Sequence, residues 1–141
     1  MQIIEFSPGE RLDMQMAESS VSAGFPSPAA DYMEKGLDLN ELLVDNPVST
    51  FFVRVEGESM TGAGIYPGDI LVVDRAQEPV AGSIVIAALD GEMTVKRLRL
   101  NNGRVFLVPE NPEFDIIPVR REQDLNIWGV VTACVHSLRG R

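Results

Sequence analysis

The stretch Ile84-Val85-Ile86-Ala87-Ala88-Leu89-Asp90-Gly91-Glu92-Met93-Thr94-Val95-Lys96-Arg97-Leu98-Arg99-Leu100 decides the fold class. Ile84 to Leu89 is the longest unbroken apolar run in the chain, and its length suits a strand buried on both faces. Asp90-Gly91 follows, and an Asp-Gly pair between two such runs signals a two-residue hairpin, because both residues tolerate positive φ. Residues 92–100 then alternate. Successive side chains of a strand point to opposite faces, so Thr94, Lys96, Leu98 and Leu100 share one face and Val95, Arg97 and Arg99 the other. The arginines are expected to meet water. Lys96 sits with the leucines, where it is expected to be desolvated.

Working outward, the β pattern persists. Asn101-Asn102-Gly103 makes the next hairpin, into residues 104–108, and Tyr66-Pro67-Gly68-Asp69 is a turn feeding residues 70–73. Residues 50–56 carry Phe51, Val53 and Val55 on one face, with Phe52, Arg54 and Glu56 on the other. Ile116-Ile117 and residues 127–135 supply later strands. Closely spaced short strands with little helix indicate a curled antiparallel β domain, assigned to residues 49–141.

Residues 24–48 read as an extended linker and a short helix. Pro26 and Pro28 force extended backbone, Asp38-Leu39-Asn40-Glu41 fits a capping box for a helix carrying Leu42 and Leu43, and Asn46-Pro47 ends it. Residues 1–23 read as a flexible arm. Ile3, Ile4 and Phe6 are their only strong apolar cluster, and Glu5, Glu10, Asp13 and Glu18 face the single base Arg11, too little to bury a core. The arm is too short for a helix-turn-helix domain and has no basic recognition helix, so sequence-specific DNA binding is not expected.

Composition narrows the class. At 141 residues with 45% hydrophobic residues the chain is one domain's worth. A net charge of −9 argues against a protein that mainly grips nucleic acid. No apolar run approaches a membrane span, and Met1 to Phe6 has neither the basic start nor the apolar core of a signal peptide. One cysteine fits a reducing, cytoplasmic setting. No Cys/His cluster supports a metal, and no cofactor is expected.

The chemistry centres on Gly57-Glu58-Ser59-Met60 and on Lys96. A serine just past an apolar strand is a nucleophile only if something takes its proton, and the single histidine, His136, makes a Ser-His-Asp triad hard to supply. A lysine serves instead if it is neutral. Lowering its pKa from about 10.4 to about 7 costs roughly 4–5 kcal/mol, which the surrounding packing must supply. Taken singly, a lysine in an amphipathic strand more often snorkels outward, and a loop serine more often caps a turn. Cys134 and His136 share a strand face, and a Cys-His nucleophilic pair is conceivable there, but side chains at that spacing usually just pack.

Gly57-Glu58-Ser59-Met60, Pro67-Gly68-Asp69-Ile70-Leu71-Val72-Val73, Gly82-Ser83-Ile84-Val85 and Thr94-Val95-Lys96-Arg97-Leu98, in this order and spacing, resemble the motif series of the LexA/UmuD self-cleaving serine peptidases. Ala23-Gly24-Phe25-Pro26-Ser27-Pro28-Ala29-Ala30-Asp31-Tyr32 resembles that family's cleavage region, and the likeness runs from about residue 20 onward. It implies the LexA/signal-peptidase type of β domain, with Ser59 as nucleophile, Lys96 as base and the bond Ala23-Gly24 as the self-cleavage site. The Glu58 and Ser59 backbone amides become candidates for the oxyanion hole. Val21 and Ala23 point the same way in an extended segment and can fill neighbouring pockets. The resemblance further implies stimulation by a RecA–single-stranded DNA filament during the SOS response. A shortened homodimer would then serve a UmuC-type translesion DNA polymerase. Two rivals remain open: a non-enzymatic β adaptor for a polymerase, and a signal peptidase, against which the lack of any anchor counts.

Overall fold

The computed structural model of the chain describes residues 2–5, 13–17, 23–24 and 33–139. Its elements in chain order are β1 (Gln2–Glu5), β2 (Asp13–Ala17), β3 (Met33–Asp38), α1 (Leu39–Leu43), β4 (Thr50–Arg54), β5 (Ile70–Asp74), β6 (Ile84–Leu89), β7 (Glu92–Asn101), β8 (Arg104–Val108), β9 (Ile117–Pro118) and β10 (Leu125–Val135). The fold is mainly antiparallel β, as the alternation predicts. Met1–Ser7 and Asn46–Arg141 form one compact unit, and Pro8–Asp45 another.

The larger unit is built on one sheet in the order β1-β4-β5-β10-β6-β7-β8-β9. Both predicted hairpins are present. Asp90 and Gly91 hold φ of 51° and 86°, and Asn102 and Gly103 hold 51° and 75°, the pair of positive values that a type I′ turn needs. The last strand, β10, lies between β5 and β6 and pairs antiparallel with both. Its register shifts between Ile127 and Gly129 and again between Val131 and Ala133, the mark of bulges that bend and twist a strand. Gly129 is needed there: a Cβ on it would lie 2.5 Å from Val73 Cγ1.

Apolar clusters occupy both faces of the sheet. Val53, Val55, Met60, Ile65, Leu71, Val73, Ile86 and Val95 form one; Val85, Ala87, Leu98, Leu107 and Val130 form the other. Two-sided cover explains why Val85, Ile86 and Ala87 of β6 are fully buried, as their unbroken apolar run anticipates. It also corrects the expectation for β7. Val95, on the face assigned to water, is buried, and Arg97 is half-buried against Glu110, whereas Leu100, assigned to the leucine face, is about half exposed. Both faces of the strand are covered in its middle, which buries Val95, and neither near its end, which exposes Leu100, so simple alternation fails.

Asp74 ties the entry of β4 to the end of β5. Its carboxylate accepts from Ser49 Oγ at 2.6 Å, Asn46 Nδ2 at 2.7 Å and the Ala76 amide at 2.9 Å. β1 adds a strand that the sequence reading of the arm did not include, pairing Gln2 with Arg54, Ile3 with Val53, Ile4 with Phe52 and Glu5 with Phe51.

In the smaller unit β2, from the stretch read as an arm, pairs antiparallel with β3, from the stretch read as an extended linker, a pairing the sequence reading did not include. Asp38 caps α1, its Oδ1 accepting from the Asn40 amide at 3.1 Å. The helix ends at Val44, before Asn46-Pro47, and Pro47 opens a short 3-10 turn instead.

Candidate active site

Ser59 lies in the loop that leaves β4. Gly57 turns the chain with φ of 82°, a region that costs glycine little and other residues more. Met60, 2% exposed, then plugs into the core and accepts at its carbonyl from the Ala63 and Ile65 amides. The segment after β8 holds the loop from its other side. The Glu110 amide donates to the Ser59 carbonyl at 2.8 Å, the Gly62 amide donates to the Glu110 carbonyl at 2.7 Å, and Asn111 Nδ2 donates to the Glu58 carbonyl at 2.8 Å. Glu110 is fixed in turn by Arg97 Nε of β7 at 2.5 Å. Gly62 admits no side chain, since a Cβ would meet the Glu110 carbonyl oxygen at 2.5 Å. Among the described residues neither the Glu58 nor the Ser59 amide donates a hydrogen bond.

Lys96 comes from the middle of β7, opposite Val85 of β6 in the register. It is 7% exposed, and burial holds its pKa below the ordinary lysine value. Its Nζ stands 2.9 Å from Ser59 Oγ, 2.8 Å from Thr94 Oγ1 and 3.0 Å from the Val95 carbonyl oxygen. The partners suit both charge states. An ammonium donates to all three. A neutral amine has two N–H groups, one for the Val95 carbonyl, which can only accept, and one for Thr94; its lone pair is then left to receive the Ser59 hydroxyl proton.

Beside this contact is a cleft of about 200 Å³ lined by Val55, Glu56, Gly57, Ser59, Met60, Met93, Thr94 and Val95. Ala23 and Gly24 lie in an exposed bend of the smaller unit. Val21 lies outside the described residues. The pairing of Thr94 with the amine and the Glu110–Asn111 clamp were not foreseen. Thr94 was legible as a face neighbour of Lys96, but a contact with residues fifty positions further on has no local signal.

The other constellation singled out in the sequence takes a different shape. Cys134 Sγ and His136 Nδ1 both contact Asp69, at 3.3 Å and 2.5 Å, rather than each other. Asp69 is 2% exposed; burial raises its pKa, but the Tyr66 amide, His136 and Cys134 together hold it below the ordinary carboxylate value. Cys134 is exposed as a residue, yet partial burial of its thiol and the adjoining Asp69 carboxylate push it up to about 12. A thiol held there is a poor nucleophile, so the Cys-His reading falls. Among the described residues no group of His, Cys, Asp and Glu could hold a metal, and no helix is long and apolar enough to cross a membrane.

Comparison with known proteins places residues 15–132 in a match to the Peptidase S24-like family. The chain is 52% identical over 117 residues to Protein SamA of Salmonella typhimurium, covering 83% of this chain and 81% of that one. It is 46% identical over 119 residues to Protein MucA of Escherichia coli, covering 84% and 79%. To the LexA repressor of Bordetella parapertussis it is 39% identical over 118 residues, which is 83% of this chain and 54% of the repressor.

Proposed function

Because this chain belongs to the Peptidase S24-like family, that of the LexA/UmuD self-cleaving serine peptidases, we propose that Ser59 and Lys96 are the dyad with which it cuts its own Ala23-Gly24 bond. The observation that carries this reading is the 2.9 Å contact of Lys96 Nζ with Ser59 Oγ at a buried amine.

The neutral amine takes the hydroxyl proton as Oγ attacks the Ala23 carbonyl carbon. The Glu58 and Ser59 amides receive the oxyanion, and losing one such donor typically costs about 2.7–4 kcal/mol of barrier. The Lys96 ammonium then gives its proton to the Gly24 nitrogen as that amine leaves. A water deprotonated by the same lysine hydrolyses the acyl-serine ester, which frees residues 1–23 with a carboxylate on Ala23 and restores the hydroxyl. The segment before the cut binds extended along the cleft, Val21 and Ala23 in neighbouring pockets, as an added strand does. Small Ala23 beside Gly24 leaves room for attack.

Restraint comes from two equilibria, docking of the arm and deprotonation of the amine. A partner accelerates cutting only by its differential affinity for the docked state. That partner is the RecA–single-stranded DNA filament, and the shortened chain acts in the cytoplasm as a homodimer serving a UmuC-type translesion polymerase. This reading rests on family membership, not on composition.

The test is mass measurement after incubation from pH 6 to 10. The expected product begins at Gly24, with a rate that climbs with pH toward the lysine's pKa. A flat profile, or the same product from Ser59→Ala, overturns the dyad; no cutting in either chain favours an inert adaptor.

A further inference from the structure

β1 is sewn to the main sheet, yet the peptide link between β1 and that sheet runs through the bond proposed for cleavage. Met1–Ser7 belongs to the larger unit, and β1 is the terminal strand of its eight-stranded sheet, covering the outer edge of β4 along the register from Gln2–Arg54 to Glu5–Phe51. The inner edge of β4 is taken by β5. Any break at Ala23-Gly24 therefore turns an edge strand of the domain into a separate peptide.

Such a peptide is held less firmly than a tethered strand. While tethered, β1 acts at an effective concentration in the millimolar range. Once severed it must meet the full cost of association, with two short ladders to hold it, β1 on β4 and β2 on β3. The edge it leaves is the outer side of β4, a template for another strand.

We propose that the outer edge of β4 is a strand-acceptor site, closed in the uncut chain by Gln2–Glu5 and opened by cutting. Its occupant is an extended segment of another protein with the chemistry of β1: two adjacent β-branched residues flanked by polar ones, lying antiparallel. The register from Gln2–Arg54 to Glu5–Phe51 marks the four places such a segment takes. Backbone hydrogen bonds supply the affinity and the paired apolar residues the choice. The role in the cell rests on the proposed cut, but the site itself does not.

The experiment uses the full chain carrying Ser59→Ala, which stays whole, with and without Ile3→Pro and Ile4→Pro, which remove two donors from β1. The probe is a fluorescent peptide of residues 1–7. The parent is expected to exclude the peptide. The double-proline chain is expected to take it up one to one, with β4 amide exchange faster by about tenfold or more before the peptide is added and slowed after. A peptide bearing the same prolines is expected not to bind. In wild-type chain cut at alkaline pH, gel filtration is expected to part residues 1–23 from the domain, which then binds the probe. Co-elution of the fragment in equal amount overturns the proposal. So does failure of the double-proline chain to bind, or protection of β4 by a second copy that shuts the probe out. If the chain never cuts itself, the double-proline arm still decides whether the edge accepts a strand.

Discussion

Lys96 shows what a single buried amine costs and supplies. Its pKa lies below 10.5 because burial disfavours the ammonium, so between that lowered value and 10.5 the unfolded chain binds more protons than the folded one. Stability linked to this group therefore rises with pH between the lowered folded value and 10.5, and the burden is at its fullest below that window. Lys96→Met is expected to abolish cutting while raising stability at pH 7 by about 1–2 kcal/mol. The gap should close as pH approaches 10.5, as read by urea unfolding at each pH. A variant that loses activity and stability together at neutral pH would mean that the amine is a structural anchor instead. His136, tied to Asp69, is expected to leave cutting unchanged when replaced by alanine.

At the scale of elements, the site depends on how β4, β5 and β7 are held at their ends. Asp74 is 3% exposed and satisfies three donors at the junction of β4 and β5. Burial raises its pKa, but the hydrogen bonds from Ser49, Asn46 and Ala76 outweigh that and hold it below 3.8. Its stabilisation is therefore complete above pH 4 and lost as pH falls through the lowered value. Asp74→Ala strands the donors and is expected to cost about 2–3 kcal/mol at pH 7, a penalty that shrinks as pH falls through the lowered value; a penalty constant with pH would refute the charge-based account. The elements themselves were largely legible. Asp90-Gly91 and Asn102-Gly103 announced their turns because positive φ restricts residue choice, and the run Ile84–Leu89 matched β6 residue for residue. β1 was not legible, since Ile3 and Ile4 gain their role only opposite Val53 and Phe52 of a distant strand. The clamp of Ser59 by Glu110 and Asn111 escaped for the same reason. Lys96 and Ser59 could be paired in the sequence only by resemblance, because no periodicity links a loop to a strand 37 residues later.

For the whole molecule, the sheet order grades stability. β10 has neighbours on both sides and buries Val130, whereas β9 is a two-residue edge. Amides of Val130 and Val131 are expected to exchange only through global unfolding, and those of Ile117 by local fraying, orders of magnitude faster. Equal exchange at both would mean that the sheet opens as one unit.

The same order has a bearing on biosynthesis. In the sheet, the half next to the Ser59 loop (β4 and β5) and the half that carries the amine (β6 and β7) are joined through β10 alone, and β10 comes after both in the chain. Until residues 125–135 have left the ribosome, Ser59 and Lys96 are tied together only outside the strand ladders, by the Glu110–Asn111 clamp and shared core contacts. On the proposed dyad, full alignment of Ser59 with Lys96 therefore waits for β10 to be laid between the two halves.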